Sequence, residues 1–413
     1  MKSWVEISER RLAANYKLLR KAAGDATAVL AVVKANAYGH GAEVCAPVLA
    51  QAGAEWLGVA DAEEGAAVRA ALKAIRETEP RILVMCGPLE KDAEATVRHR
   101  LTPVVWNQQQ MEWLAAAVLQ QGGEAAPLPV HLEIDTGMAR QGLPPGEALH
   151  TLLHWLKRQP HLRLEGVMTH FASPEIAGSP LTAVQRQRFE EAIAAVEDAS
   201  LRPAWIHAGN SSVVDTCSVV DTRSVVDTCS AADNLDWLHL LAQSVGARAM
   251  VRAGIALYGY CLPIEQAHSS DQAIQARVQP GLQPVMTWKT RVIGLHEIKP
   301  GDTVGYNAIF KAERTMRLAL LAVGYADGLR RELSGSTSHA GGWVMLHGQR
   351  AAIVGRISMN LTVVDVTNIP RVVVGDEVIV LGDGITADDH ARIAHTIPYE
   401  IVCGVRPVSH LVA

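Results

Sequence analysis

Short apolar runs alternate with amphipathic helical stretches through the first part of the chain. Eight such runs lie at 28–34, 56–60, 82–86, 102–106, 129–135, 164–170, 204–208 and 249–254. The first three are nearly continuous in apolar residues and the later ones carry isolated polar positions, as parallel strands buried on both faces allow. The stretches between them carry helix signals. Ser8 is placed to cap a helix over 9–23, whose Leu12, Tyr16, Leu19 and Ala23 recur at helical spacing. Asp61-Ala62-Glu63-Glu64 has the spacing of a capping box, Asn107 precedes a helical pattern over 108–121, and 182–199 is amphipathic with Gln, Arg and Glu on its polar face. Eight strand–helix units within roughly 260 residues predict an α/β domain, a (β/α)8 TIM-type barrel.

Beyond Pro280 the period changes. Segments 285–293, 316–323, 343–346, 351–357, 362–366 and 377–381 read as strands, with turns marked by Lys299-Pro300-Gly301-Asp302, His347-Gly348 and Gly382-Asp383-Gly384. These predict a second, mostly antiparallel β domain, with a short helix over 388–396 and a mobile loop over 335–342. The expected division is a barrel over 1–270 and the β domain over 271–413. One segment breaks the rhythm: 212–229 is three copies of a hexad beginning Ser-Val-Val-Asp-Thr. Three short copies are too few for a solenoid, so a surface insertion between the seventh and eighth strands is expected. Its Cys217 and Cys229 would pair only if the segment folded back on itself.

Composition narrows the class. With 413 residues, 49% hydrophobic and 20% charged, a large packed core is expected and disorder is not. A net charge of −5 argues against a nucleic-acid surface. Six cysteines do not make a disulfide framework. Neither a secretion signal nor a run able to span a bilayer is seen, so a cytoplasmic protein without membrane or nucleic-acid partners is expected. No metal site is expected.

In such a barrel the chemistry collects at the C-terminal ends of the strands. Those ends hold Lys34, Asp61, Cys86, Trp106, Asp135 with Arg140 close behind, His170, Asn210 with Ser211, and Arg252. Together they suit one anionic aromatic cofactor. Lys34 terminates a buried run; such an amine either snorkels to solvent or, desolvated, becomes a nucleophile fit for a Schiff base. The run alone does not choose between these.

Val33-Lys34-Ala35-Asn36-Ala37-Tyr38-Gly39-His40-Gly41 resembles the pyridoxal 5'-phosphate (PLP) lysine signature of the alanine racemase family, and the resemblance extends over nearly the whole chain. It implies that Lys34 carries PLP covalently and that Tyr38 binds its phosphate. His207-Ala208-Gly209-Asn210-Ser211 resembles the segment whose Ser211 binds phosphate and whose Asn210 approaches the ring hydroxyl. Val251-Arg252-Ala253-Gly254-Ile255 resembles the segment in which Arg252 meets the pyridine nitrogen and the Gly254 and Ile255 amides hold phosphate. Tyr399 matches another phosphate-binding tyrosine, and His170 the histidine on the ring face. The implied reaction is racemisation of alanine by two bases, Lys34 and Tyr306, with Tyr306 reaching in from the other subunit of a head-to-tail homodimer; D-alanine would supply peptidoglycan. Without the resemblance, Tyr306 reads equally as a buried strand aromatic. Arg140 and the Met359 amide would hold the substrate carboxylate, and Tyr325 resembles a tyrosine lining the substrate's path inward. A broad-specificity or serine racemase of the same fold is the alternative.

Two positions depart from the family's pattern. Glu133 stands where many members have a lysine that is carbamylated and buttresses the arginine at 140; a carboxylate can make the same charge-assisted contact with Arg140, but its shorter reach leaves room for a bound anion, a water or a shifted arginine. Asn360 stands where Asp is common. Both bear on substrate breadth more than on reaction type.

Overall fold

The computed structural model describes residues 2–73, 79–121, 126–216, 234–267, 276–406 and 410–412. Eight parallel strands close into a barrel: Thr27–Val32, Trp56–Val59, Arg81–Val84, Thr102–Val105, Leu128–Glu133, Leu162–Met168, Trp205–His207 and Arg248–Ala253, the last pairing back onto the first. All eight expected runs are strands, each ending within a few residues of its expected limit. The apolar runs foretold this because burial on both faces makes apolar residues the majority in a barrel strand. The caps hold as well. Ser8 accepts from Arg11 N, Asp61 from Glu64 N and Asn107 from Gln110 N. The helices they start, Glu9–Ala23, Ala62–Leu72 and Gln108–Gln120, pack their apolar sides on the barrel.

The second domain is a mostly antiparallel sheet built on the long strand Met286–Ile298, which pairs with Met316–Leu321, Glu377–Leu381 and Ser3–Ile7. That last partner is the chain's own first strand. It leaves the barrel sequence and joins the second domain's sheet, with His410–Val412 parallel on its other side. Its five residues carry no periodicity that says which sheet they will enter. The short helix expected near 388–396 is Ala387–Ala394, capped by Thr386. A further helix, Pro398–Gly404, was not anticipated; proline at its first position pre-sets the backbone angle and gives up an amide the helix cannot use. The 335–342 loop, expected to be mobile, is tied to its surroundings by Gly342 N to Leu333 O and Gly355 N to Gly335 O.

The hexad segment needs correction. Its first copy is not a surface insertion: Ser211–Asp215 is a buried helical turn, with Val213 and Val214 in the core. The Asp215 carboxylate accepts from the amides of Val278 (2.7 Å) and Gln279 (3.0 Å), fixing the chain that leads into the second domain. The rest of the segment, from Cys217 at the end of the first copy through the later copies to Cys229, lies outside the described residues, as does the expected domain boundary at 270.

Candidate active site

Lys34 follows the first barrel strand and is half-buried. The four residues after it, Ala35, Asn36, Ala37 and Tyr38, all have positive φ, between 52° and 55°. This is a left-handed turn of non-glycine residues, which costs roughly 1–2 kcal/mol per residue. Glu64 holds it in place: one carboxylate oxygen takes Ala35 N (2.7 Å) and the other takes Ala60 N (2.8 Å). Asn36 adds a second tie, accepting from Ala42 N at 2.8 Å. The turn aims Tyr38 back across the barrel mouth. Its hydroxyl packs directly on the Cα of Gly254, so closely that any Cβ at 254 would strike it. Ser211 Oγ closes the other side, accepting from Gly254 N (3.0 Å) and Ala256 N (3.3 Å). Tyr399 enters from the unanticipated helix, its ring centroid 6.1 Å from that of Tyr38. Burial pushes both phenols well above their ordinary pKa, so both hydroxyls stay protonated. Neutral hydroxyls, a backbone kept bare by glycine and the start of a helical turn at Ile255 form a cradle that fits a phosphate.

Arg252 lies at the centre, 4% exposed. Its Nη2 donates to Thr169 O (2.7 Å) and His170 Nδ1 (3.2 Å), and its Nη1 to His207 Nδ1 (3.2 Å). Arginine has donors only, so both imidazoles must accept there and carry their proton on Nε2. Neutrality is enforced by desolvation and by Arg252 itself: the His170 pKa is pushed down to about 3, and that of His207 falls far below its ordinary value. His207 Nε2 then donates to His131 Nδ1 at 2.8 Å, and His131 Nε2 faces Glu165 at 3.6 Å. Glu165 is also paired with Arg81 and Arg163. A polar file therefore runs from Arg252 through the barrel core, oriented by a pure donor at one end and a pure acceptor at the other. Burial lowers the Arg252 pKa only to about 10, so the guanidinium keeps its charge at neutral pH. The file went unread in the sequence: His131 and Glu165 sit mid-strand and His207 ends a third strand, and nothing local says that they touch. Gln185 was missed too, and ties His170 O (3.0 Å) and Ala172 N (2.9 Å) into place.

The remaining candidates sit elsewhere. Tyr306, expected either as a base or as a buried strand aromatic, is 67% exposed on a short helical turn, which excludes the buried reading. Tyr325 (44% exposed) and Met359 (56%) are exposed as well. The three are linked by one segment. Gly305 approaches Arg356 N, while Tyr325 N donates to Ser358 O (3.0 Å) and Ala326 N to Met359 O (2.9 Å). No hydrogen bond or ring contact among the described residues joins Tyr306 to the surroundings of Lys34. Arg140 is exposed at the barrel mouth, near enough for its charge to act on His170 and Arg252. The direct contact open to Glu133 and Arg140 is not made; the carboxylate takes its hydrogen bond from Gln141.

The alanine racemase N-terminal domain matches residues 7–223, and the alanine racemase C-terminal domain matches residues 285–412. The chain is 34% identical to an alanine racemase of Symbiobacterium thermophilum over 98% of its own length and 94% of the relative's. The chain belongs to the alanine racemase family. Among family structures, the alanine racemase from Streptomyces coelicolor superposes with a TM-score of 0.83 at 32% identity, covering 100% of this chain and 98% of that one. A family member from Bartonella henselae, solved with covalently bound pyridoxal phosphate, matches with a TM-score of 0.77 at 26% identity over the full length of both chains.

Proposed function

We propose that this isomerase interconverts L-alanine and D-alanine, with PLP held at the barrel mouth by Lys34 and the Tyr38–Ser211–Gly254–Ile255–Tyr399 cradle. PLP, when bound there, withdraws electrons from the substrate and acidifies its Cα–H. The observation that carries the reading is Arg252. We assign it to the ring nitrogen. A group with donors only leaves that nitrogen unprotonated, which restrains electron withdrawal and favours proton removal and return over elimination or amino transfer. The buried file behind Arg252 keeps it from turning away. Asn210, whose side chain caps the turn bearing Ser211 (3.0 Å to Ser212 N), is assigned to the ring hydroxyl side, and His170 to the ring face.

Racemisation takes a proton from one face of Cα and returns one to the other, with no net oxidation. Lys34 Nζ serves one face and Tyr306 Oη the other. A tyrosine needs nearby positive charge to act as a base, and Arg140 and Arg252 stand at the mouth to supply it. In one chain Tyr306 is turned to solvent, which favours its delivery from a second copy in a head-to-tail homodimer. Arg140 and the Met359 amide hold the substrate carboxylate, and Tyr325 lines the way in. We place the enzyme in the cytoplasm, where D-alanine feeds peptidoglycan synthesis. Support comes from the unpaired thiols of Cys45, Cys86, Cys261 and Cys403, and from the absence, among the described residues, of any helix long and apolar enough to cross a membrane.

Incubation with PLP and L-alanine in D2O tests this directly. Deuterium entering Cα together with D-alanine is expected. No exchange by PLP-loaded protein would overturn the reading, and faster racemisation of serine than of alanine would move it to a broader racemase.

A further inference from the structure

Residues 135–143 carry Arg140 over the barrel mouth and are built as a rigid loop. Asp135 Oδ1 accepts from the amides of Gly137 (2.9 Å), Met138 (3.0 Å) and Ala139 (3.1 Å), winding the first turn. Leu143 closes the base, donating to Glu133 O (2.9 Å) and accepting from Asp135 N (3.1 Å). Gly142, at φ +108°, passes so close that a Cβ would lie 2.6 Å from Asp135 N. Arg188 Nη1 donates to Thr136 O at 3.1 Å from outside. These ties leave the tip, Arg140-Gln141, to be fixed separately.

Gln141 fixes it. Its Nε2 donates twice, to Met85 O at 2.9 Å and to a Glu133 carboxylate oxygen. One amide thus fastens the tip to the ends of the third and fifth barrel strands. Glu133 is 2% exposed, and its charge acts on both Arg140 and Arg252. We infer that Gln141 is the positioning residue for the substrate arginine: the Met85–Gln141–Glu133 clamp holds Arg140 at the height of the substrate carboxylate, while Glu133 shares its charge between Arg140 and Arg252. The inference deepens the racemase reading and rests on Arg140 as the carboxylate binder. It replaces a direct contact between Glu133 and Arg140 by one passing through the next residue along the chain.

Gln141→Met keeps the length and bulk of the side chain and removes both donors. In the holoenzyme it should raise KM for L-alanine roughly tenfold and leave kcat within about twofold, because the group lost acts on binding and not on proton transfer. Propionate shares only the carboxylate with the substrate and should lose affinity by the same factor, read by titrating the cofactor absorbance without turnover. Gln141→Asn, whose amide is too short to span both acceptors, should move the same way by less. In the pair Glu133→Gln and Gln141→Met, the effects should be far from additive. An unchanged KM and unchanged propionate affinity in Gln141→Met would overturn the clamp, as would an equal fall in kcat and kcat/KM. A wild-type enzyme that binds propionate but never racemises alanine would sink the racemase reading instead, leaving the propionate comparison to decide the clamp.

Discussion

The barrel mouth and the Tyr306 edge of the second domain are opposite kinds of surface. At the mouth, polar groups are buried and already partnered. Arg252 commits three of its five N–H donors to Thr169, His170 and His207, and the left-handed turn after Lys34 is pinned by Glu64. At the edge, Tyr306, Tyr325 and Met359 stand in solvent. Burial with most donors paired fixes a geometry in advance and leaves the remaining Arg252 donors for a ligand, which a cofactor site needs. Exposure of aromatic and thioether side chains on one edge is what an interface has before its partner arrives. The same domain nevertheless contributes to both surfaces, since Tyr399 lies beside Tyr38 within one chain while Tyr306, Tyr325 and Met359 are exposed.

The comparison can be broken most severely at Lys34. Lys34→Ala should abolish racemisation by about 10⁴-fold or more and let PLP be removed by gel filtration, because both the attachment and one proton carrier are lost. Tyr306→Phe should cost roughly 10²–10⁴-fold, with one direction of proton transfer hit harder. Mixing Lys34→Ala with Tyr306→Phe sharpens the contrast. If each site takes Lys34 from one copy and Tyr306 from the other, random exchange restores about a quarter of wild-type activity, since half the dimers then hold one intact site of two. No recovery after proven subunit exchange would place both bases in one chain.

Smaller effects probe the buried side alone. Glu64→Ala should cost about 1–3 kcal/mol in urea unfolding, and should loosen PLP as the left-handed turn relaxes. Acid should act through the histidines. His131, His170, His207 and His390 all have folded pKa values below the ordinary 6.5, chiefly through desolvation, with His170 at about 3 and His390 at about 4. The unfolded chain therefore binds protons first, and stability falls as pH drops below about 6.5 toward those folded values, by on the order of 2 kcal/mol at pH 5 for each of His170 and His390, with His131 and His207 acting in the same direction. A urea midpoint that stayed flat from pH 7.5 to 5 would contradict this. The smallest effect belongs to the second domain's own fabric: Thr386→Ala removes the acceptor for Asp389 N and should cost about 1 kcal/mol while leaving racemisation unchanged.

Much of the mouth was legible because its residues lie at strand ends, and strand ends follow from apolar runs. Lys34, His170, Asn210, Ser211 and Arg252 were all placed together this way, while Tyr38 and Gly254 came with the resemblance. Tyr399 needed the resemblance, since no helix was foreseen at Pro398. Glu64 was seen only as half of a capping box, yet its carboxylate supports the turn after Lys34. The first hexad copy was misjudged because repetition suggested an insertion, whereas Val213 and Val214 fill the core next to Ser211.

Local order, then, was written in the sequence: the apolar period sets the strands, the polar caps set the helix starts, and the Lys34 motif carries the resemblance to the alanine racemase family. What only the tertiary structure decided are contacts between residues far apart in the chain. These are the entry of Ser3–Ile7 into the second sheet, the file from Arg252 to Glu165, the grip of Glu64 on an otherwise costly turn, and the choice of Gln141 over Arg140 by Glu133. Side-chain period reports which face is buried but not which partner is met there. A buried polar group's partner is settled by where the folded backbone brings a donor or acceptor within about 3 Å.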